Sequence, residues 1–470
     1  MPDTVPQSAL DALRDVVGRK GWIDDEAGME PHLVERRGLW RGTCAAVVRP
    51  ASTAETARVV EICAESGVPI TPQGGNTGGV GGGVPDGGIV LSAARMNRIR
   101  AVDPLNHTMT VEAGCVLATI QEAANEVGCL FPLSLAAEGS CQIGGNLSTN
   151  AGGIQVLRYG NARDMLLGLE VVLPDGRVWD GLRSLRKNNT GYDLKHLFIG
   201  AEGTLGIITA AVLKLYPQQP SRETVMAAVG DVDAALALFS RICDSYGDVL
   251  TAFELIPRLG MEFAAKHMTG VVDPFQNAHP FYVLIELTSP EGGAGLREAL
   301  ELLLSQALND DIADDAVIAA SEAQREELWR VREVLSECQK FEGGSIKHDV
   351  SVPISRVPEF IRRAGVAVET AMPGVRILAF GHVGDGNIHY NLSQPVGADT
   401  DAFLARWNES NRIIHDLANE MDGSFSAEHG IGILKRGELL RYKSAVEVDL
   451  MRTLKRAMDP KNIMNPGKVL

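Results

Sequence analysis

His382 and His389 flank the dipeptide Asp385-Gly386 in the run Gly-His-Val-Gly-Asp-Gly-Asn-Ile-His-Tyr-Asn over residues 381–391. Asp-Gly favours a tight type I′ turn, and apolar, strand-like runs stand on either side, at 375–380 and 388–392. A hairpin centred on that turn places His382 directly opposite His389. Opposed residues project from one face with Cβ atoms roughly 5 Å apart, close enough for two imidazoles to reach one metal ion. Asn391 shares that face and Tyr390 points away. The chain holds only ten His, and two at matched positions point to a metal site rather than to incidental histidines.

The elements that must position this pair follow from periodicity and punctuation. Residues 8–20 read as a short amphipathic helix and 21–43 as an irregular lead-in. A brief strand at 45–50 precedes a helix capped by Ser52 and stopped at Gly67. The strand at 68–71 then runs into Pro-Gln-Gly-Gly-Asn-Thr-Gly-Gly at 72–79. A βαβ unit ending in such a loop offers backbone N–H groups to a pyrophosphate. No Gly-Lys-Ser/Thr is present for a P-loop, and the loop does not open a helix with Rossmann spacing. Further strands are expected at 89–92, 108–113 and 164–174, with a helix at 116–127 between them. Residues 138–153 are small and polar throughout, and Gly-Ala-Glu-Gly-Thr-Leu-Gly at 200–206 leads into a last strand before the prolines at 217 and 220. Beyond it, strands at 225–229 and 281–286 alternate with helices at 231–245 and 294–307, the pattern of an α+β domain with helices on one face of its sheet.

At 470 residues, two or three domains are expected. A net charge of −16 argues against a nucleic-acid surface. Seven dispersed Cys without a Cys-x-x-Cys pair suit a reducing compartment and exclude a ferredoxin-type cluster. No 18-residue uncharged run predicts a membrane span. The N-terminus shows no basic-then-apolar signal, so the cytoplasm is the default expectation.

The loops at 72–79, 139–153 and 200–209, in this order, resemble the FAD-binding domain of the vanillyl-alcohol oxidase-like flavoproteins. With the His-bearing hairpin the resemblance narrows to the FAD-linked 2-hydroxyacid dehydrogenases and covers residues 40–470. The runs Tyr159-Gly, Leu-Gly-Leu-Glu-Val-Val-Leu at 167–173, Asn-Thr-Gly-Tyr-Asp-Leu-Lys at 189–195 and Ser-Ala-Glu-His-Gly at 426–430 resemble most the members acting on D-2-hydroxyglutarate. D-lactate-oxidising members share much of this pattern. The implied fold class is α+β. A lead-in (1–40) precedes a two-part FAD-binding domain of the vanillyl-alcohol oxidase type (41–218). A substrate domain with an antiparallel sheet (219–422) is followed by a C-terminal helical segment (423–470) that returns to the FAD domain.

The resemblance implies FAD with its pyrophosphate on Gly74, Gly75, Asn76, Thr77, Gly78 and Gly79, after Pro72. The isoalloxazine is expected near Gly139, Ser140, Gly144, Gly145, Asn150, Ala151 and Gly152, with Gly203, Ile208 and Asn465 completing the set. Some relatives link the flavin to a His in the first loop; Asn76 stands there, so non-covalent FAD is expected. Glu428 would join His382 and His389 as third ligand to a divalent metal, zinc by its redox silence, with manganese or iron as alternatives. The metal would lower the substrate alcohol's pKa. His429 would take the hydroxyl proton while a hydride passes to flavin N5.

On a helix around Trp329-Arg-Val-Arg-Glu333, Ser336 lies one turn after Arg332, and Lys347 falls in a strand at 346–353. By resemblance these three hold the substrate's far carboxylate, and Asn391 bonds substrate beside the metal. Relatives carry Thr in place of Ser336, which keeps the hydroxyl. Two cations for one far group favour a dicarboxylate, hence oxidation of D-2-hydroxyglutarate to 2-oxoglutarate over D-lactate or D-malate. An electron-transfer flavoprotein or a quinone would take the electrons, and a homodimer is expected. Outside this class stand a His/His/Glu metallohydrolase, which leaves the glycine loops unexplained, and a non-catalytic FAD-binding subunit, which leaves the His/His/Glu set unexplained.

Overall fold

The computed structural model describes residues 5–290 and 294–470. The first four residues of the lead-in thus lie outside the described residues. The chain separates into two units. One comprises Met1–Gly153, Tyr159–Gln218 and Glu428–Leu470, and the other Ile154–Arg158 and Gln219–Ala427.

In the first unit, Ala46–Val48, Ile89–Ser92 and Ile70–Gln73 pair in parallel in that order, with Trp22–Ile23 antiparallel at the edge. These short strands are almost wholly buried, as expected of a covered parallel sheet. The helix Thr53–Ser66 forms as its signals dictate. The Ser52 side chain accepts from the Glu55 N–H, Gly67 ends the helix at φ 67°, and Val59, Val60, Ile62 and Cys63 are buried. A second, antiparallel sheet runs in the order Ile99–Asp103, Thr108–Glu112, Ile207–Lys214, Leu166–Val172, Val178–Gly181. The C-terminal helix Ala445–Met458 opens with a capping box at Ser444 and Glu447. Beyond it, Asp459 accepts from the N–H groups of Ile463 and Met464, and the chain bridges Ile70 through Met464.

The lead-in is not irregular throughout. Glu26–Leu33 is a helix capped by Asp25 on the Gly28 N–H. Its eight residues bury none of their number and contain Pro31, so no apolar period announces it. The small, polar stretch 138–153 likewise contains the helix Ile143–Ser148.

In the second unit, Leu250–Pro257, Phe281–Ser289, Ser221–Val229 and Asp315–Ile318 form an antiparallel sheet in that order. The expectation of helices on one face is corrected. Val232–Tyr246 and Ala294–Asn309 cover one face, and Arg258–His267 and Glu322–Glu333 the other. All eight residues of Leu250–Pro257 are consequently buried. In a further sheet, Asn387–Ser393 lies between Arg376–Phe380 on one side and Ser345–Ile346 with Asp349–Ser351 on the other. Ile388, Tyr390 and Leu392 enter a core with Phe360, Ala364 and Ile414. Leu378 and Phe380, on the opposite face, meet Leu328, Trp329 and Leu335. That second face carries the chemistry.

Candidate active site

The histidines meet, but not by the expected register. Phe380, not His382, is the partner of His389, and Leu378 that of Asn391. Residues 381–386 form a loop instead of a two-residue turn, with the His382 carbonyl accepting from Asp385 and Asn387. The reason is Gly381. At φ 135° it leaves the strand and exchanges two backbone bonds with Leu255, at 2.9 and 3.1 Å. A Cβ there would approach the Asn387 oxygen to 3.1 Å and the His389 ring to 3.2 Å. The slip is two residues, an even number, so every side chain of the two strands keeps its expected face. The two imidazoles stand edge to face with centroids 5.5 Å apart.

Constant register carries this face further. Ile346 opposes Leu392 and Asp349 opposes His389, which places Lys347 opposite Asn391. Lys347 lies between the strands Ser345–Ile346 and Asp349–Ser351 rather than within one, correcting the strand expected over 346–353. Its Nζ donates to the Ser336 carbonyl at 2.9 Å. Ser336 lies beyond the helix of Arg332, which ends at Glu333; a four-residue turn, Leu335–Cys338, follows. Arg332 is buried, stacks over Phe380 at 4.9 Å, and donates from Nε to Glu254 at 2.6 Å. Glu254 was invisible as a site residue, being one acid in the buried strand Leu-Thr-Ala-Phe-Glu-Leu-Ile-Pro. Burial alone would raise its carboxyl, but His382 and Arg332 hold it down at about 2. Asp385 goes the other way: burial pushes it up to about 6 against the pull of His382.

Within the first unit, the glycine loops line one cleft. Residues 72, 74–78, 144, 145, 203 and 208, all singled out in the sequence, line it together with His429. Gly79, Gly139, Ser140, Asn150, Ala151, Gly152 and Asn465 are not among the lining residues. Some glycines serve loop against loop. A Cβ on Gly75 would strike the Ser140 oxygen at 2.1 Å, whereas Gly78 and Gly145 face open space. Asn465 ties the loops from behind, donating to the carbonyls of Gly82 and Glu202. Asn76 is committed to the Pro31 and Val34 carbonyls.

The cleft also holds residues not anticipated. Gln142 Oε1 and Asn146 Oδ1 line it, buried, without a hydrogen-bond partner among the described residues. Buried acceptors without donors are what a bound polar ligand satisfies. Glu202 accepts from the N–H groups of Ile431 and Gly432 at 2.7 and 2.8 Å, anchoring the loop that carries His429. Burial raises its carboxyl while those N–H groups and Lys435 oppose the shift. In the second unit, Ala427, the residue before Glu428, donates to the carbonyl of Asp349, which opposes His389.

Comparison with known proteins agrees with this architecture. Residues 44–181 match the FAD binding domain model, and 218–469 the model of the C-terminal domain of FAD linked oxidases. D-2-hydroxyglutarate dehydrogenase, mitochondrial, of Bos taurus is 39% identical, covering 99% of this chain and 84% of its own. The Arabidopsis thaliana protein of the same name is 35% identical, covering 97% and 80%. Among solved structures, p-cresol methylhydroxylase superposes with TM-score 0.78 at 18% identity, covering 100% of this chain and 98% of that one, a likeness of fold. The chain belongs to the FAD-linked oxidase family, with the vanillyl-alcohol oxidase-type fold. It is an FAD-dependent dehydrogenase acting on a CH–OH donor.

The glycine loops and the orphaned acceptors Gln142 and Asn146 fit that cofactor. The cytoplasmic expectation is corrected. It rested on a missing N-terminal signal, and absence assigns no compartment, whereas both named relatives are mitochondrial. No helix among the described residues is long and apolar enough to cross a membrane.

Proposed function

We propose that the protein oxidises D-2-hydroxyglutarate to 2-oxoglutarate with the help of a divalent metal. The observation that carries this reading is His429 on the rim of the glycine-lined cleft, an exposed imidazole beside the place where FAD fits. Bound FAD supplies the two-electron acceptor for the hydride leaving the substrate's C2. Residues 74–79 would cradle its pyrophosphate, with 139–153 and Asn465 supporting the rest. Asn76 lacks a ring nitrogen for attachment, which supports non-covalent binding.

His429 accepts the hydroxyl proton at an unprotonated ring nitrogen. His382, His389 and Glu428 would hold the metal, zinc or manganese, as an oriented Lewis acid for the hydroxyl and adjacent carboxylate. The paired imidazoles and the Glu254 carboxylate at His382 Nδ1 support that donor set. Asn391 orients the substrate beside it. Arg332, the Ser336 hydroxyl and Lys347 take the far carboxylate, and two cations for that group, with the names of the relatives, support a dicarboxylic acid. An electron-transfer flavoprotein or a quinone would take the electrons, and the working unit would be a homodimer; both follow from the family resemblance.

The test is turnover with a dye acceptor on D-2-hydroxyglutarate, D-lactate and D-malate, before and after dialysis against chelator. We expect D-2-hydroxyglutarate to give the highest kcat/KM, activity to fall at least tenfold on chelation, and Zn²⁺ or Mn²⁺ to restore it. Undiminished activity in metal-free protein would remove the metal from the mechanism. A preference for D-lactate would remove the dicarboxylate.

A further inference from the structure

Glu254 sits on a strand with no exposed residue and is itself 1% exposed. An ionised carboxylate in such a place must be fully engaged to be tolerated. Its two oxygens are divided. Oε1 stands 2.5 Å from His382 Nδ1, and Oε2 accepts from Arg332 Nε at 2.6 Å. The third side of this triangle brings Arg332 Nη2 within 3.5 Å of His382 Nε2.

The arrangement is built on backbone. Gly381 and Leu255, the neighbours of His382 and Glu254, exchange both of their N–H···O bonds. The carboxylate therefore meets the imidazole at a separation set by paired main chains, the more exact kind of support for a functional group.

We propose that Glu254 is a positioning residue that orients a metal ligand and a substrate anchor at once, His382 through one oxygen and Arg332 through the other. The inference rests on the functional reading above and adds a residue to it. A carboxylate accepting at Nδ1 places the His382 proton there and leaves the Nε2 lone pair for a metal. Arg332 Nη2, which can only donate, faces that same lone pair at 3.5 Å and requires the same tautomer; a bound metal would take its place there. Holding Arg332 by Nε, with Nη2 turned to His382, leaves Nη1 to donate to a substrate carboxylate. One acid thus fixes the distance between the metal end and the carboxylate end of the site, and so the length of substrate that spans them. Gln cannot replace it, because a single amide oxygen serves one donor and the NH₂ group then faces the other.

The competing account makes Glu254 only a counter-ion for buried Arg332. Glu254→Leu by itself does not separate the two and leaves Arg332 without its carboxylate, so a cycle with Arg332→Gln is needed. In the double variant no buried charge is stranded. Zn²⁺ affinity is measured on FAD-loaded protein by competition with a chromophoric chelator, and the flavin spectrum reports folding. Positioning predicts that Arg332→Gln stays within about twofold of the unmodified protein. Glu254→Leu and the double variant lose roughly 10–100-fold in Zn²⁺ affinity, the usual effect of removing a carboxylate behind a ligating His. A double variant that binds Zn²⁺ as Arg332→Gln does would overturn the proposal and leave the counter-ion account. Unmodified protein with no Zn²⁺ affinity would instead overturn the metal reading, and this inference with it.

Discussion

At the scale of single residues, the site pairs groups whose types announced themselves with groups whose types did not. His382, His389 and His429 stood out because imidazole is scarce in this chain and chemically versatile. Glu254, Gln142 and Asn146 did not, because an acid in an apolar strand or an amide in a polar loop carries no period and no motif. Only the fold shows that Glu254 reaches His382 and that the two amides face a cleft. Arg332 was read as a substrate anchor from resemblance, and its bond to Glu254 adds a structural task to that role. The residue whose part is easiest to isolate is His429, since it is exposed and its loop is anchored through Ile431 and Gly432. Asn in its place keeps polarity and removes the proton acceptor. His429→Asn should slow flavin reduction by substrate roughly 10²–10⁴-fold while leaving FAD content unchanged, as stopped-flow absorbance would read. A loss below tenfold would move the base elsewhere.

At the scale of elements, the strands and helices were largely legible and their connections were not. The helix Thr53–Ser66 carries its own start and stop in Ser52 and Gly67, and the strand Ile89–Ser92 is a plain apolar run. The expected turn at Asp385-Gly386 failed because a tertiary contact outcompeted local turn preference. Gly381 pairs with Leu255 on another sheet, and the loop lengthens to reach it. Slippage by two residues rather than one explains why the histidine face survived the error. Helix Glu26–Leu33 was missed since it buries nothing. The glycine at 381 gives this account a test. Its φ of 135° disfavours any side chain, and a methyl group there would crowd its neighbours at 3.1–3.3 Å. Gly381→Ala should cost about 1–3 kcal/mol of stability in denaturant unfolding, and it should weaken metal binding because His382 is the next residue. A neutral effect on both would mean that the loop does not depend on this conformation.

At the scale of the whole molecule, two units divide the labour. One presents the glycine cleft with His429, the other a sheet face bearing His389, Asn391 and Lys347 beside Arg332 and Glu254. A division after residue 218 was read from where glycine clusters end and alternating strands begin. The excursion of Ile154–Arg158 into the second unit was not, because five residues are too few to carry a compositional signal. Compartment was not readable either, and relatives corrected it. The central claim joins cofactor, substrate and direction of transfer, and one spectrum addresses all three. Purified protein should be yellow, and anaerobic addition of D-2-hydroxyglutarate without any acceptor should bleach its visible flavin band within the turnover time. Yellow protein that keeps its colour with D-2-hydroxyglutarate, yet bleaches with D-lactate or D-malate, would contradict the substrate assignment and return the site to a shorter acid.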